Sequence, residues 1–190
     1  MPWVSKIEVL YERVTGVLDG RYRPLDGVPF FRFLYPPEDE LRALQEFRHF
    51  VTRLKTNGYN AETISLFSVF KEALGNLVGA ASEESLLAKL YEYERSYSRA
   101  ELAGRLAEHL PEEMAEQLLG RLQPFPARTC CVLTRAGALF PFVRLSSLFS
   151  RLENKVPHVL VALYPGNEEG AMLGDRSFDR AAAYYRGEVL

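Results

Sequence analysis

Val156-Pro157-His158-Val159-Leu160-Val161-Ala162-Leu163-Tyr164 is the stretch that decides the fold. It is strongly apolar and reads as a strand. Near-continuous apolar strands mark a parallel sheet covered on both faces, because such strands have no solvent side to keep polar. Working outward, three more short stretches have the same character. Residues 129–133 (TCCVL) form the preceding strand. Residues 62–67 (ETISLF) form an earlier one, and 29–35 (PFFRFLY) the first. Residues 182–190 (AAYYRGEVL) read as a final edge strand.

Helical patterns separate these strands. Val4, Ile7, Tyr11, Val14 and Leu18 recur at helical period, and Ser5 with Glu8 has capping-box spacing. Pro36-Pro37 ends the first strand and starts a helix. Leu41, Leu44, Phe47, Val51 and Leu54 form the core stripe of that helix, and Asn57-Gly58 ends it. Glu38, Asp39 and Glu40 set negative charge at its positive end. Ser68 starts another helix, and three more are expected at 82–93, 98–109 and 111–122. Ser98 and Glu101 give a second capping box. After the third strand, the loop Thr134-Arg135-Ala136-Gly137 leads into a helix from about 140 to 152. The expected fold is α/β. A mostly parallel central sheet of about four or five strands is flanked by helices, with a helical insert (about 82–122) between the second and third strands. Residues 1–190 read as one domain.

Composition sets limits on function. The net charge is −2 and the isoelectric point about 6.0, which suits neither a nucleic-acid coat nor a membrane-surface protein. Charge is uneven, however. Residues 82–117 hold nine acids and four bases, and residues 128–155 hold five bases and one acid. Such asymmetry can steer a partner. Cys130 and Cys131 are adjacent, so on a strand they point to opposite faces and are poorly placed to bond each other. Buried core thiols in a reducing compartment follow. No signal peptide or apolar membrane span is visible, so a cytoplasmic location is expected.

This framework carries no recognisable catalytic or nucleotide-binding motif. The loops after the strands lack the glycines and lysine that cradle phosphates. His49, His109 and His158 have no metal-ligand spacing, and no nucleophile elbow precedes a helix. No cofactor, metal or catalytic residue is therefore expected, and the chain reads as a non-enzyme. Three features suggest contact with something else. Arg135 sits in a strand-to-helix loop of the kind where open α/β sheets bind ligands, so an anion can be accommodated there. Arg144, Ser147 and Arg151 fall on one helical face, and arginine forks suit carboxylates and phosphates. Tyr184 and Arg186 share one face of the last strand, and both residue types favour interfaces.

The blocks also carry a resemblance. They run from Val28-Pro29-Phe30-Phe31 through Tyr35-Pro36-Pro37-Glu38-Asp39-Glu40-Leu41, then Ile64-Ser65-Leu66-Phe67. Next comes Val132-Leu133-Thr134-Arg135-Ala136-Gly137-Ala138-Leu139-Phe140-Pro141-Phe142-Val143-Arg144, and later Val156-Pro157, Leu163-Tyr164-Pro165-Gly166 and Tyr184-Tyr185-Arg186. In order and spacing this resembles the BrxB-type proteins of bacterial BREX (bacteriophage exclusion) systems. That family often reads T-G-x-G where this chain has Thr134-Arg135-Ala136-Gly137. After Pro165-Gly166 it more often carries an aromatic and a Leu-Phe pair. The resemblance implies a small non-catalytic adaptor that binds PglZ, the phosphatase-like BREX protein. The BREX ATPase or methyltransferase are further candidate partners, DNA contact is indirect, and the complex supports host DNA methylation and phage exclusion. Two alternatives come from the residues themselves: a nucleic-acid-binding subunit using the basic 128–155 stretch, and a degenerate nucleotide- or anion-binding domain using the loop after the third strand.

Overall fold

The structure, a computed structural model, describes residues 3–24, 27–166 and 188–190. Five strands form one all-parallel sheet: β1 (Phe30–Tyr35), β2 (Ala61–Ser65), β3 (Cys130–Thr134), β4 (Val159–Pro165) and β5 (Glu188–Val189). Their spatial order is β2-β3-β4-β1-β5. Six helices cover it: α1 (Trp3–Leu18), α2 (Glu40–Thr56), α3 (Leu66–Val78), α4 (Glu83–Ser96), α5 (Arg99–Leu122) and α6 (Leu145–Leu152).

Alternation along the strands sorts the core into two layers. Phe31, Phe33, Tyr35, Cys130, Val132, Val161 and Leu163 face α1 and α2. Phe30, Leu34, Cys131, Leu133, Leu160, Ala162 and Tyr164 face the layer of α3, α5 and α6. Aromatic contacts join sheet to helix on each side. Phe33 meets Phe47 at 4.9 Å, and Phe30 meets Phe149 at 4.9 Å. The cysteines take opposite faces as expected. Both are buried, and burial pushes both thiols up, Cys131 to about 12.

Helix edges differ from the sequence reading, each for a local reason. α1 begins at Trp3, so Ser5 lies inside it and Val4 is exposed. Trp3 packs on Phe33 and Tyr35, which extends the helix, and Glu8 binds Arg53 instead of capping. In α2 the buried stripe is Ala43, Phe47, Phe50 and Leu54, and Leu41 is exposed. The two phenylalanines set the phase because they hide the most area. Ser65, not Ser68, caps α3 by accepting from the Ser68 amide, so Leu66 and Phe67 are helical.

The two helices expected at 98–109 and 111–122 are one. α5 runs through Pro111. An interior proline costs about 3 kcal/mol. Burial of Leu110, Met114, Leu118 and Leu122 offsets this, at roughly 1.5–3 kcal/mol for each large apolar side chain. These residues belong to the same apolar cluster as β1 and β4, so α5 shares the core of the sheet. α6 starts at Leu145 rather than near 140, because Pro141 drives the residue before it out of helical geometry. Of the expected strand 182–190, Glu188–Val189 pairs with β1, and 182–187 lies outside the described residues.

β5 is short but well tied. Glu188 accepts from Arg13 of α1 and from the Tyr22 hydroxyl. Tyr22 is placed by a turn that folds over α1, where the Arg21 and Tyr22 amides both donate to the Gly16 carbonyl, at 2.7 and 2.9 Å.

His158 stands just before β4 and is buried. Burial holds its imidazole below the ordinary value of 6.5, with a hydrogen bond to the Leu122 backbone opposing that shift. Its Nδ1 has no hydrogen-bond partner. The folded chain therefore binds this proton less readily than the unfolded one. The stability this provides is complete above the ordinary histidine value and is lost as pH falls from there through the folded value. Urea midpoints measured from pH 7.5 down to 5.5 should fall, and the fall should flatten in His158→Gln.

Candidate functional site

Open parallel sheets bind ligands outside the carboxyl ends of their strands. Here those ends bring together side chains that lie far apart in the chain. Tyr35 closes β1, Ser65 closes β2, Thr134 closes β3 and Pro165 closes β4. Glu40 opens α2 directly above β1 and accepts a hydrogen bond from the Tyr35 hydroxyl. Burial, reinforced by that carboxylate, pushes the Tyr35 phenol far up, so it stays a neutral donor. Nη1 of Arg135 stands 3.6 Å from Glu40.

Arg135 divides two clefts. The first, of about 370 Å³, is lined by Pro37, Glu40, Arg135, Ala138, Phe140 and Pro165. Gly137 also lines it, and a methyl group there would stand 3.0 Å from Cγ of Pro165. The second, of about 300 Å³, lies between α2 and the ends of β2 and β3. Its lining includes Phe47, Arg48, Thr63, Ser65, Thr134 and Arg135. Arg135 has φ 63°, a left-handed conformation that costs a non-glycine residue about 1–2 kcal/mol.

The other residues singled out from sequence are placed differently. Arg144 is exposed and stands immediately before α6, so it does not share a helical face with Ser147 and Arg151. Arg151 is committed internally. Its Nη1 donates to the Ser147 hydroxyl at 2.6 Å and carbonyl at 3.1 Å, and its Nε to Glu112 of α5 at 2.9 Å. That fork ties α6 to α5. Tyr184 and Arg186 lie outside the described residues. The basic 128–155 stretch is also divided in space. Arg128, next to the start of β3, donates to the Leu18 carbonyl, whereas Arg135 follows the carboxyl end of the same strand. Among the described residues these arginines do not form one continuous basic face. Nor does any group of three His, Cys, Asp or Glu side chains among them stand ready for a metal. Of these residues, no helix is long and apolar enough to cross a membrane.

Arg48, Glu40 and Tyr35 are the members of the site that sequence reading missed. The sequence ties Glu40 only to the helix dipole, although an acid opening a helix shortly after a strand is a usable signal. Arg48 has no such signal, because only the packing of α2 brings it beside β2 and β3.

The family model for BREX protein BrxB matches residues 63–189, more than half of the chain. The chain belongs to the BrxB family. Comparison with curated proteins and with solved structures gives no match. The BrxB match runs from β2 to β5 and includes Arg135 with the loop around it, whereas Glu40 and Arg48 precede it. Membership of BrxB places the chain in BREX phage defence.

The left-handed Arg135 accounts for the one loop position where this chain departs from the T-G-x-G pattern noted above. Glycine adopts φ 63° without strain, and arginine does not. Arg135→Gly is therefore expected to leave the fold intact and to raise stability by up to about 1 kcal/mol, since glycine's greater unfolded-state entropy takes back part of the relief. Arg135→Ala keeps the strain and should show no gain. Paired urea denaturation curves separate the two.

Proposed function

We propose that this BrxB-family chain is a non-catalytic, cytoplasmic adaptor of a BREX complex. It docks on the PglZ-like protein and so supports host DNA methylation and phage exclusion, with the BREX ATPase or methyltransferase as further neighbours and DNA contacted indirectly. The family match carries this reading. The distribution of surface residues favours it. On α4, Leu87 and Tyr91 lie one turn apart and are 54% and 66% exposed. Beside them Leu77, Leu90, Tyr93, Leu102 and Leu106 line a groove of about 150 Å³ between α3, α4 and α5. Exposed large apolar and aromatic side chains of this kind form the centres of protein interfaces. Arg105 and His109 also line the groove, and α4 carries Glu83, Glu84, Glu92 and Glu94 with Lys89 and Arg95, so the surround offers a partner charges of both signs.

Co-expression with the PglZ-like protein of the same locus, followed by light scattering, tests this. A single species of summed mass supports the adaptor. Two independent species overturn it. The double substitution Leu87→Glu, Tyr91→Glu should separate the partners and leave the melting temperature of the free chain within about 2 °C, since neither side chain is buried.

A further inference from the structure

The cleft between Arg48 and Arg135 has the chemistry of an anion site. Two guanidinium groups line it, and no carboxylate does. Arg48 donates from Nε to the Leu44 carbonyl at 3.3 Å and forms no ion pair among the described residues. Arg135 meets Glu40 at 3.6 Å, with its side chain 48% exposed, and a pair that long and that open holds its cation only weakly. The floor is hydroxylic where the rest of this sheet face is apolar. Thr63 is exposed. Ser65 accepts from the Ser68 amide at 3.4 Å, which leaves its own hydrogen available to donate. Two like charges facing one cleft repel each other when it is empty, and an anion between them turns that repulsion into attraction.

The position reinforces the chemistry. The cleft opens at the carboxyl ends of β2 and β3, where open parallel sheets take their ligands. Arg135 also borders the first cleft, lined by Pro37, Glu40, Ala138, Phe140 and Pro165. Phe140 there is 42% exposed, so an organic group attached to the anion has an apolar surface to lie on. We propose that this cleft binds a phosphate group, held by the forks of Arg48 and Arg135 and by the Thr63 and Ser65 hydroxyls. A phosphate suits the donor set better than a carboxylate, because it offers more acceptor oxygens and up to two negative charges. The inference does not depend on docking to PglZ.

The test is calorimetric titration and thermal shift of the full chain with inorganic phosphate, AMP, ATP and adenosine, all at one ionic strength set with chloride. A saturable rise in melting temperature with phosphate or a nucleotide, and none with adenosine, is expected. Arg48→Gln and Arg135→Gly should each weaken binding tenfold or more. Arg135→Gly relieves backbone strain, so loss of binding in that variant is not loss of fold. AMP or ATP binding at least tenfold tighter than phosphate identifies a nucleotide as the source. Equal affinities identify free phosphate. The proposal is overturned if no phosphate compound gives a saturable shift, or if both variants bind as the parent does.

Discussion

Phe47→Ala is expected to lower the unfolding free energy by about 3–5 kcal/mol, the range for emptying a buried phenylalanine site. Phe47 is 2% exposed and stands at the centre of the α2 face. Its ring meets Phe33 of β1 edge-on at 4.9 Å and Phe50 one turn along α2 at 5.3 Å. Removing it loses the transfer free energy of the ring and both aromatic contacts. It also leaves a void that β1 cannot close, because β1 is pinned between β4 and β5. Since total domain stability is typically 5–15 kcal/mol, this change brings the chain near its limit. The measurement is a urea midpoint by circular dichroism. A loss below about 1.5 kcal/mol would show that α2 shifts to fill the space. Phe47 also walls the Arg48 cleft, so phosphate affinity measured below the unfolding transition should fall as well.

The second large effect belongs to a glycine. Gly16→Ala should cost about 2 kcal/mol net. A Cβ at residue 16 would stand 2.7 Å from Cβ of Tyr22, closer than real carbons approach. Tyr22 cannot swing away alone, because its Cβ moves with a backbone whose amide is bonded to the Gly16 carbonyl. The turn must lift, and the Tyr22 hydroxyl then leaves Glu188. Such overpacking costs about 1–3 kcal/mol together with the lost hydrogen bonds, while alanine's better helix propensity returns up to about 1 kcal/mol. Gly104→Ala is the contrast. It lies on an exposed face of α5 with nothing within 4 Å of the added carbon, so propensity alone acts and the variant should gain about 0.5–1 kcal/mol. Equal effects at the two positions would show that the Tyr22 turn is not closed over α1 in solution.

The strands are legible in the residues because a parallel sheet leaves them no polar side. PFFRFLY and VPHVLVALY have few alternatives, and β1 and β4 are buried along their whole length. Helix ends are less legible because they depend on tertiary partners. Pro111 reads as a helix start when considered locally, but it lies inside α5 because the face below it is apolar on both sides of the proline. Phe142, Leu145, Phe149 and Leu152 have helical spacing, yet Phe142 lies outside α6, which begins at Leu145 after Pro141. The site divides in the same way. Arg135 is visible because it follows a strand. Arg48 is not, because its neighbours in the cleft come from β2 and β3, and only the parallel register of those strands aligns Ser65 with Thr134 beneath it. The Arg144, Ser147 and Arg151 grouping fails because it assumed one helix through all three.

The strand order has a consequence for biosynthesis. β1 is translated well before both of its neighbours in the sheet, β4 and β5. At about 5–20 residues per second, a fully buried, aromatic-rich strand waits on the order of ten seconds with both edges bare. During that interval α1, α2 and the helices that follow can shelter its faces, but no strand covers its edges. The nascent chain is thus a substrate for chaperones, and ribosome-stalled lengths ending before residue 159 should aggregate on release. Slower synthesis will not help, because no stage before β4 provides β1 with a partner.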